Sequence, residues 1–585
     1  MRRVLAALLI AASPALAQQA APAAPAAAPW VPDLAPLRPA AGGDLERIVT
    51  RYVIDRDVLQ RRFAVASSAA RRQALDALNA EWLTRVEALD FDALGQAGKV
   101  DWLLLRAELT YARQVLARDT RQAADLAPLL PFNGAIAGLD ESRRRFETAD
   151  PPAMARALTG IAESARRARQ AIVAPSGPDT LRPSRIAAYR AAQVTLNLRT
   201  TLERWYRFYD GYDPLFTWWS RAPWTAADSA LRSYAQTLRE RVVGVRAGED
   251  EPIVGVPISR AAIMEDLAHE MIPYTPEELV TIAQREFAWC ETEMRRAAHD
   301  MGLGDDWRAA LERVKNDYVA PGRQTDLVRD LEREAEQFLE SHDLVTVPPL
   351  ARDVWRMEMM TPERQKENPF FTGGEVMTVS FPTDGMSEAD KLMSMRGNNI
   401  HFARATVFHE LIPGHHLQGF MTDRYAAYRD AFSTPFWGEG NAFYWETLFW
   451  DLDFPRSPED RVGMLFWRMH RAARIIFSLS FHLGTMTPDQ AIDFLVERVG
   501  HERANAAAEV RRSFNGNYSP LYQVAYMIGG LQFRALHHEL VDSGRMTNRQ
   551  FHDAILHHGR MPVEALRALL TSQPLTRDYR AQWRF

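Results

Sequence analysis

Between Ala405 and Phe420 the chain reads Ala-Thr-Val-Phe-His-Glu-Leu-Ile-Pro-Gly-His-His-Leu-Gln-Gly-Phe. Two imidazoles on one metal ion, with a carboxylate beside them to take a proton from water, are the working parts of a zinc hydrolase. In the common arrangement the histidines stand four apart and the helix itself brings them together. Here His409 and His415 stand six apart. At about 100° per residue, that spacing puts them on opposite sides of an unbroken helix. His416 returns to the same face as His409, but about 10.5 Å further along the axis, too far for one ion. The sequence also carries a remedy. Pro413 removes a backbone donor and clashes with the preceding turn, and Gly414 accepts torsions closed to other residues. A break there would swing His415 back beside His409, with His416 as the alternative ligand and Glu410 as the candidate general base.

A third ligand is offered thirty residues after His409, in Trp437-Gly438-Glu439-Gly440-Asn441-Ala442-Phe443-Tyr444-Trp445-Glu446. Glu439 and Glu446 stand seven apart on one helix face, among aromatic neighbours. Carboxylates are rarely buried in such company without a partner. Glu439 is the candidate third metal ligand, and Glu446 the group that orients a ligating imidazole from behind. Other histidine-rich stretches are weaker. His269-Glu270-Met271-Ile272-Pro273 begins in the same way, but the Thr275-Pro276 cap of the next helix follows at once. His537-His538-Glu539 is an incidental match. His557-His558 precede Gly559 at an expected helix end, where cations suit the dipole.

The elements that must position these groups read as helices joined by short turns. Apolar residues recur at three- and four-residue intervals from about Asp44 onward, as in Trp102, Leu103, Leu105 and Leu109. Thr275-Pro276-Glu277-Glu278, Thr487-Pro488-Asp489-Gln490 and Thr547-Asn548-Arg549-Gln550 are helix-start signatures. The clearest alternating strand pattern is Glu375 to Phe381, just upstream of the histidines. The predicted class is therefore mainly α, with a small β-sheet next to the active-site helix. That strand could accept an extended peptide by strand addition, and residues 370–381 with Asn398 and Asn399 are candidate wall contacts.

Composition sets the outer limits. The 585 residues are 47% hydrophobic and 25% charged, which excludes collagen-like and disordered classes. Lys+Arg of 70 against Asp+Glu of 75 leaves a net charge of −5, so no basic field invites nucleic acid. With Cys290 as the single cysteine, any metal must be held by His, Asp and Glu. Met1-Arg2-Arg3, an apolar stretch and Ala15-Leu16-Ala17 read as a secretory signal over residues 1–17, cut near Ala17. Residues 18–43 are an Ala/Pro-rich linker expected to be disordered. No later run reaches the ~20 apolar residues needed to span a bilayer, so the expected location is periplasmic or secreted.

The run H-E-L-I-P-G-H-H-L-Q, His409 to Gln418, resembles the bacterial domain of unknown function 885 family. Glu439-Gly440-x-Ala442-x-Tyr444-x-Glu446, Arg474 with His482, Ala525 to Gly529, and Phe551 to Leu556 with Gly559 and Pro562 resemble its further blocks. Ser478 stands where the pattern has Asp, and Tyr522-Gln523 where it has Gln-Ala. The family resembles the helical zinc oligopeptidases and carboxypeptidases. The resemblance implies a large two-lobed helical fold with a deep channel over 44–585, an N-terminal lobe at 44–350 and a catalytic lobe at 351–585. It also implies one zinc ion per chain, with His409, His415 and Glu439 as ligands and Glu410 as base.

The expected function is zinc-dependent hydrolysis of peptide bonds in short peptides within a closed channel, of carboxypeptidase or oligopeptidase type. Tyr526, Tyr522 four residues earlier, and then His482 are candidate donors to the developing oxyanion. The alternatives are a metal-dependent hydrolase of a non-peptide amide or ester, and a catalytically silent periplasmic peptide-binding protein.

Overall fold

The computed structural model describes residues 45–585, except 175–176, 178–179, 247, 249–250 and 366–369. The predicted signal and linker lie outside the described residues. Within them the chain is mainly helical with one two-stranded sheet. No described helix is long and apolar enough to cross a membrane.

The buried side chains fall into separate groups. One group spans Val65 to Val243 and is built on the helices Asn133–Arg144, Pro151–Val173, Arg185–Tyr209 and Pro214–Leu238. The largest group joins Leu45, Trp102 and Cys290 to Phe436, Met469 and Leu566 in one core. The helix Pro276–Asp300, placed by sequence in the first lobe, packs along the long helix Pro458–His482 of the second.

The elements around the histidines are numbered here. Strands β1 (Arg356–Met359) and β2 (Val376–Val379) pair in parallel, Met357 opposite Met377. They are followed by α1 (Ile400–Glu410), α2 (His415–Tyr425), α3 (Pro435–Asp451), α4 (Pro458–His482), α5 (Arg503–Phe514) and α6 (Tyr522–His537). Met377 and Val379 pack with Ala403, Val407 and Leu411, so the sheet lies against α1. Its role as a peptide-pairing edge is limited. The N–H and C=O of Thr378 that face away from β1 are both taken by Thr372, at 2.7 and 3.2 Å.

The start of α1 is capped by Asn399, whose side chain accepts from the N–H groups of His401 and Phe402. Asn399 is fully buried, which makes it a structural cap and removes it from the candidate wall contacts. Helices α3 and α6 cross at glycine. A Cβ on Gly440 would lie 2.6 Å from the Cα of Gly529, a distance only two bare backbones can share. This close crossing brings Glu439 on α3 to Tyr522 on α6.

The remaining histidine pairs serve the fold. His269 ends the helix Arg260–His269 and stacks on Tyr111 at 4.0 Å. His537 bonds Asn548, and His557 and His558 close the helix Asn548–His558.

Candidate metal centre

The helix carrying His409 stops at Glu410 and a new one starts at His415. Between them Leu411 takes φ −108° and ψ −105°, and the Ile412–Pro413 peptide bond is cis. Crossing bonds hold the break: Gly414 N–H donates to the Phe408 carbonyl at 3.0 Å, and Ile412 N–H donates to buried Glu332 at 3.0 Å. The two helices meet so closely that a Cβ on Gly414 would lie 1.7 Å from the His409 carbonyl oxygen. The break brings the His409 and His415 rings to 4.9 Å between centroids, nearly perpendicular.

Both imidazoles turn Nε2 toward one oxygen of Glu439, at 3.5 Å from His409 and 3.1 Å from His415. Ligand atoms of His409, Glu410 and His415 lie within 4.8 Å of one another. Behind the rings the Nδ1 atoms are held. His409 Nδ1 bonds the Glu446 carboxylate at 2.7 Å. A carboxylate only accepts, so Nδ1 donates and the Nε2 of a neutral ring presents its lone pair to the centre. His415 Nδ1 lies 3.3 Å from the side-chain oxygen of Gln418. The Gln418 amide nitrogen donates to Gly438 and Asn441, which fixes that orientation.

The electrostatics are tightly coupled. Burial alone would push both imidazoles down. Carboxylates outweigh it: Glu439 and Glu446 hold His409 up, and Glu439 with Glu410 holds His415 up at about 9. Burial likewise works against the Glu439 charge, but the two imidazoles hold its carboxyl well below the usual range. The Tyr522 hydroxyl donates to the other Glu439 oxygen. Glu410 accepts from the Gly373 N–H at 2.7 Å. His415, Glu410, Gly373 and Tyr522 are each partly exposed, so the centre opens to solvent on this side. Tyr526 stacks on His409 at 6.2 Å, and burial pushes its hydroxyl up to about 12, which keeps it a proton-bearing donor near neutral pH.

Two candidates stand apart. His416 points away, its Nε2 bonded to the Ala351 carbonyl at 2.7 Å, because the break that returns His415 rotates the next residue to the opposite side. It is not placed to act as the alternative ligand. His482 ends α4, and eleven residues at ~1.5 Å each put it about 16 Å along the axis from Arg471, which touches the centre. Its Nδ1 accepts from Ile258 N–H at 3.3 Å, and burial lowers it to about 4. It is not placed to reach an oxyanion at His409.

Other contributors escaped the sequence reading. Gln418 follows His415 at helical spacing and was available as a signal. Arg471 and Arg474 stand three apart among the largely apolar residues 462–479, also a visible signal. Gly373 carried none, since only its backbone is used. A cavity of about 950 Å³ lies elsewhere, between Tyr111, His269, Tyr274 and Arg584.

Two solved structures share the fold. One is a candidate lipoprotein of unknown function from Shewanella oneidensis, 17% identical, with a TM-score of 0.68 over 91% of this chain and 100% of that one. The other is a candidate lipoprotein from Colwellia psychrerythraea, 15% identical, with a TM-score of 0.56 over 90% and 97%. No curated protein matches the chain. Residues 54–570 match the family described as bacterial protein of unknown function, DUF885, and the chain belongs to that family.

Proposed function

We propose that this chain is a zinc peptidase acting on short peptides outside the cytoplasm, akin to the helical zinc oligopeptidases. The observation that carries the reading is the convergence of two Nε2 atoms on one Glu439 oxygen, at 3.5 and 3.1 Å, beside Glu410. The donor set suits zinc: two imidazoles, which give up their extra protons when a metal binds, and a carboxylate, oriented from behind by Glu446, Gln418 and Tyr522. Glu439 is assigned as the acidic ligand because it meets both imidazoles, whereas Glu410 is anchored to the Gly373 N–H. When bound, zinc supplies Lewis acidity, lowering the pKa of water and polarising an acyl oxygen.

The chain's own groups then do the proton work. Glu410 takes a proton from the attacking water and returns it to the leaving nitrogen as the C–N bond breaks. Tyr526, protonated and stacked against His409, is the donor best placed to steady negative charge on the acyl oxygen. Tyr522 is committed to Glu439 and acts as a positioning residue. The likeness to candidate lipoproteins supports an exported chain.

The test is metal content and peptide cleavage on the same samples of wild type, His409→Ala and Glu410→Gln. About one zinc per wild-type chain is expected, lost in His409→Ala and kept in an inactive Glu410→Gln. A wild type that stays metal-free and inert after zinc addition would overturn the proposal.

A further inference from the structure

Tyr526 has a second set of neighbours besides His409. The guanidinium groups of Arg471 and Arg474 stand over its ring at 4.5 and 4.6 Å. Arg512 joins them through Glu509, which bonds Arg474 at 2.7 Å and meets Arg512 at 3.4 Å. The other carboxylate within reach is Glu446, 3.4 Å from Arg471 and already bonded to His409. Three guanidiniums thus face two carboxylates, and one positive charge is left over in a buried setting. Arg474 is 3% exposed, yet its Nη1 has no hydrogen-bond acceptor among the described residues, and neither does Nε of Arg471. Buried donors without acceptors, next to uncompensated charge, cost stability unless an anion completes them.

The way in is partly open. The side chain of Arg512 keeps 20% of its surface, and its guanidinium lies over Tyr518 at 5.3 Å. Tyr518 is exposed and packs on Tyr522 at 4.6 Å, and the Tyr522 hydroxyl holds Glu439. An aromatic ledge therefore runs from the candidate metal ligands to the arginines. From His409 to Arg474 the connection is two contacts, 6.2 Å to Tyr526 and 4.6 Å beyond it. Up to three peptide residues, at ~3.3–3.6 Å each, fit within that range.

We infer that Arg512 and Arg474, backed by Arg471, seat the free α-carboxylate of a peptide, so that cleavage occurs within about three residues of its C-terminus. This rests on the peptidase reading and narrows its substrate class. A guanidinium offers paired N–H donors that match a carboxylate and not a carboxamide. In the reaction the C–N bond near that end breaks. The water oxygen and one proton go to the acyl carbon as a new acid, and the other proton goes to the released amine.

The experiment compares tetra-alanine with its C-terminal amide in calorimetric binding to the zinc-loaded, full-length Glu410→Gln protein. The free acid is expected to bind at least about tenfold tighter, the size of a hydrogen-bonded contact to a charged group. Arg512→Gln in the same background should remove most of that preference in a protein that still melts cooperatively, and Arg512→Lys should restore part of it. Equal affinities, a preference for the amide, binding of neither peptide, or a preference that survives Arg512→Gln would overturn the inference. Wild-type turnover separates the two readings. Acid-selective binding with no cleavage keeps the seat and rejects the peptidase, whereas equal cleavage of acid and amide keeps the peptidase and rejects the seat.

Discussion

Replacing Gly414 by alanine tests the break between α1 and α2 on which the centre depends. The added Cβ would lie 1.7 Å from the His409 carbonyl oxygen, 2.4 Å from its carbon and 2.7 Å from the Phe408 oxygen. All three are backbone atoms, so no side-chain rotation relieves the clash. Restoring a contact of at least 3.0 Å needs the two helix ends to part by more than about 1 Å. That displacement breaks the Gly414 to Phe408 hydrogen bond, worth about 1 kcal/mol. Overpacking adds roughly 1–3 kcal/mol, for a total near 2–4 kcal/mol. The functional cost is separate, because His409 and His415 sit on opposite sides of the break. A shift of about 1 Å between them spoils a site that tolerates ~0.2 Å in ligand distance, so zinc affinity should fall by at least about tenfold. The assay is a chelator competition for zinc, run beside thermal melting of the zinc-free protein. A Gly414→Ala protein that melts within a degree of wild type and binds zinc equally well would refute the reasoning.

Glu446→Gln keeps an acceptor for His409 Nδ1 but removes the charge that raises the ring's basicity and faces Arg471. Zinc affinity should fall about 10–100-fold with the fold intact, and an unchanged dissociation constant in the same competition would refute the role given to Glu446. Burial pushes the Glu270 carboxyl up to about 8, against an ordinary value of 4.5, with Thr434 bonded to it. A raised carboxyl binds its proton more tightly when folded, so its contribution is complete below about pH 4.5 and is lost as pH climbs toward 8. Glu270→Gln should therefore stabilise the protein at pH 7–8, by as much as about 3 kcal/mol, and do little at pH 4. Denaturant midpoints at the two pH values check this, and a gain that is the same at both would refute it.

What the sequence made visible and what it hid differ in the range of the contacts involved. The six-residue spacing of His409 and His415 was a geometric contradiction, and Pro413-Gly414 was its local resolution. Glu439 and Glu446 stood out because charge in an aromatic helix demands a partner, and the partners lay on the next helices. The mainly helical class was likewise legible from capping boxes and three-four periodicity, which depend on near neighbours. Contacts that join distant segments left no such trace. β1 pairs with β2 across a gap in the chain, Gly373 reaches Glu410 through its backbone alone, and Arg474 finds Glu509 thirty-five residues later. His482 shows the opposite failure. His482 was offered as a donor to the oxyanion, but it lies eight residues, about 12 Å, beyond Arg474 on one rigid helix, and the residues of that helix that reach Glu446 and Tyr526 are Arg471 and Arg474. Arg471 and Arg474 both stand over the Tyr526 ring, whereas Arg468 bonds Glu286 on the helix Pro276–Asp300. A buried charged pair of that kind is seldom kept for stability, since apolar residues of similar volume would serve as well or better. Its presence beside two imidazoles and two carboxylates is better accounted for by an anion that the centre must hold.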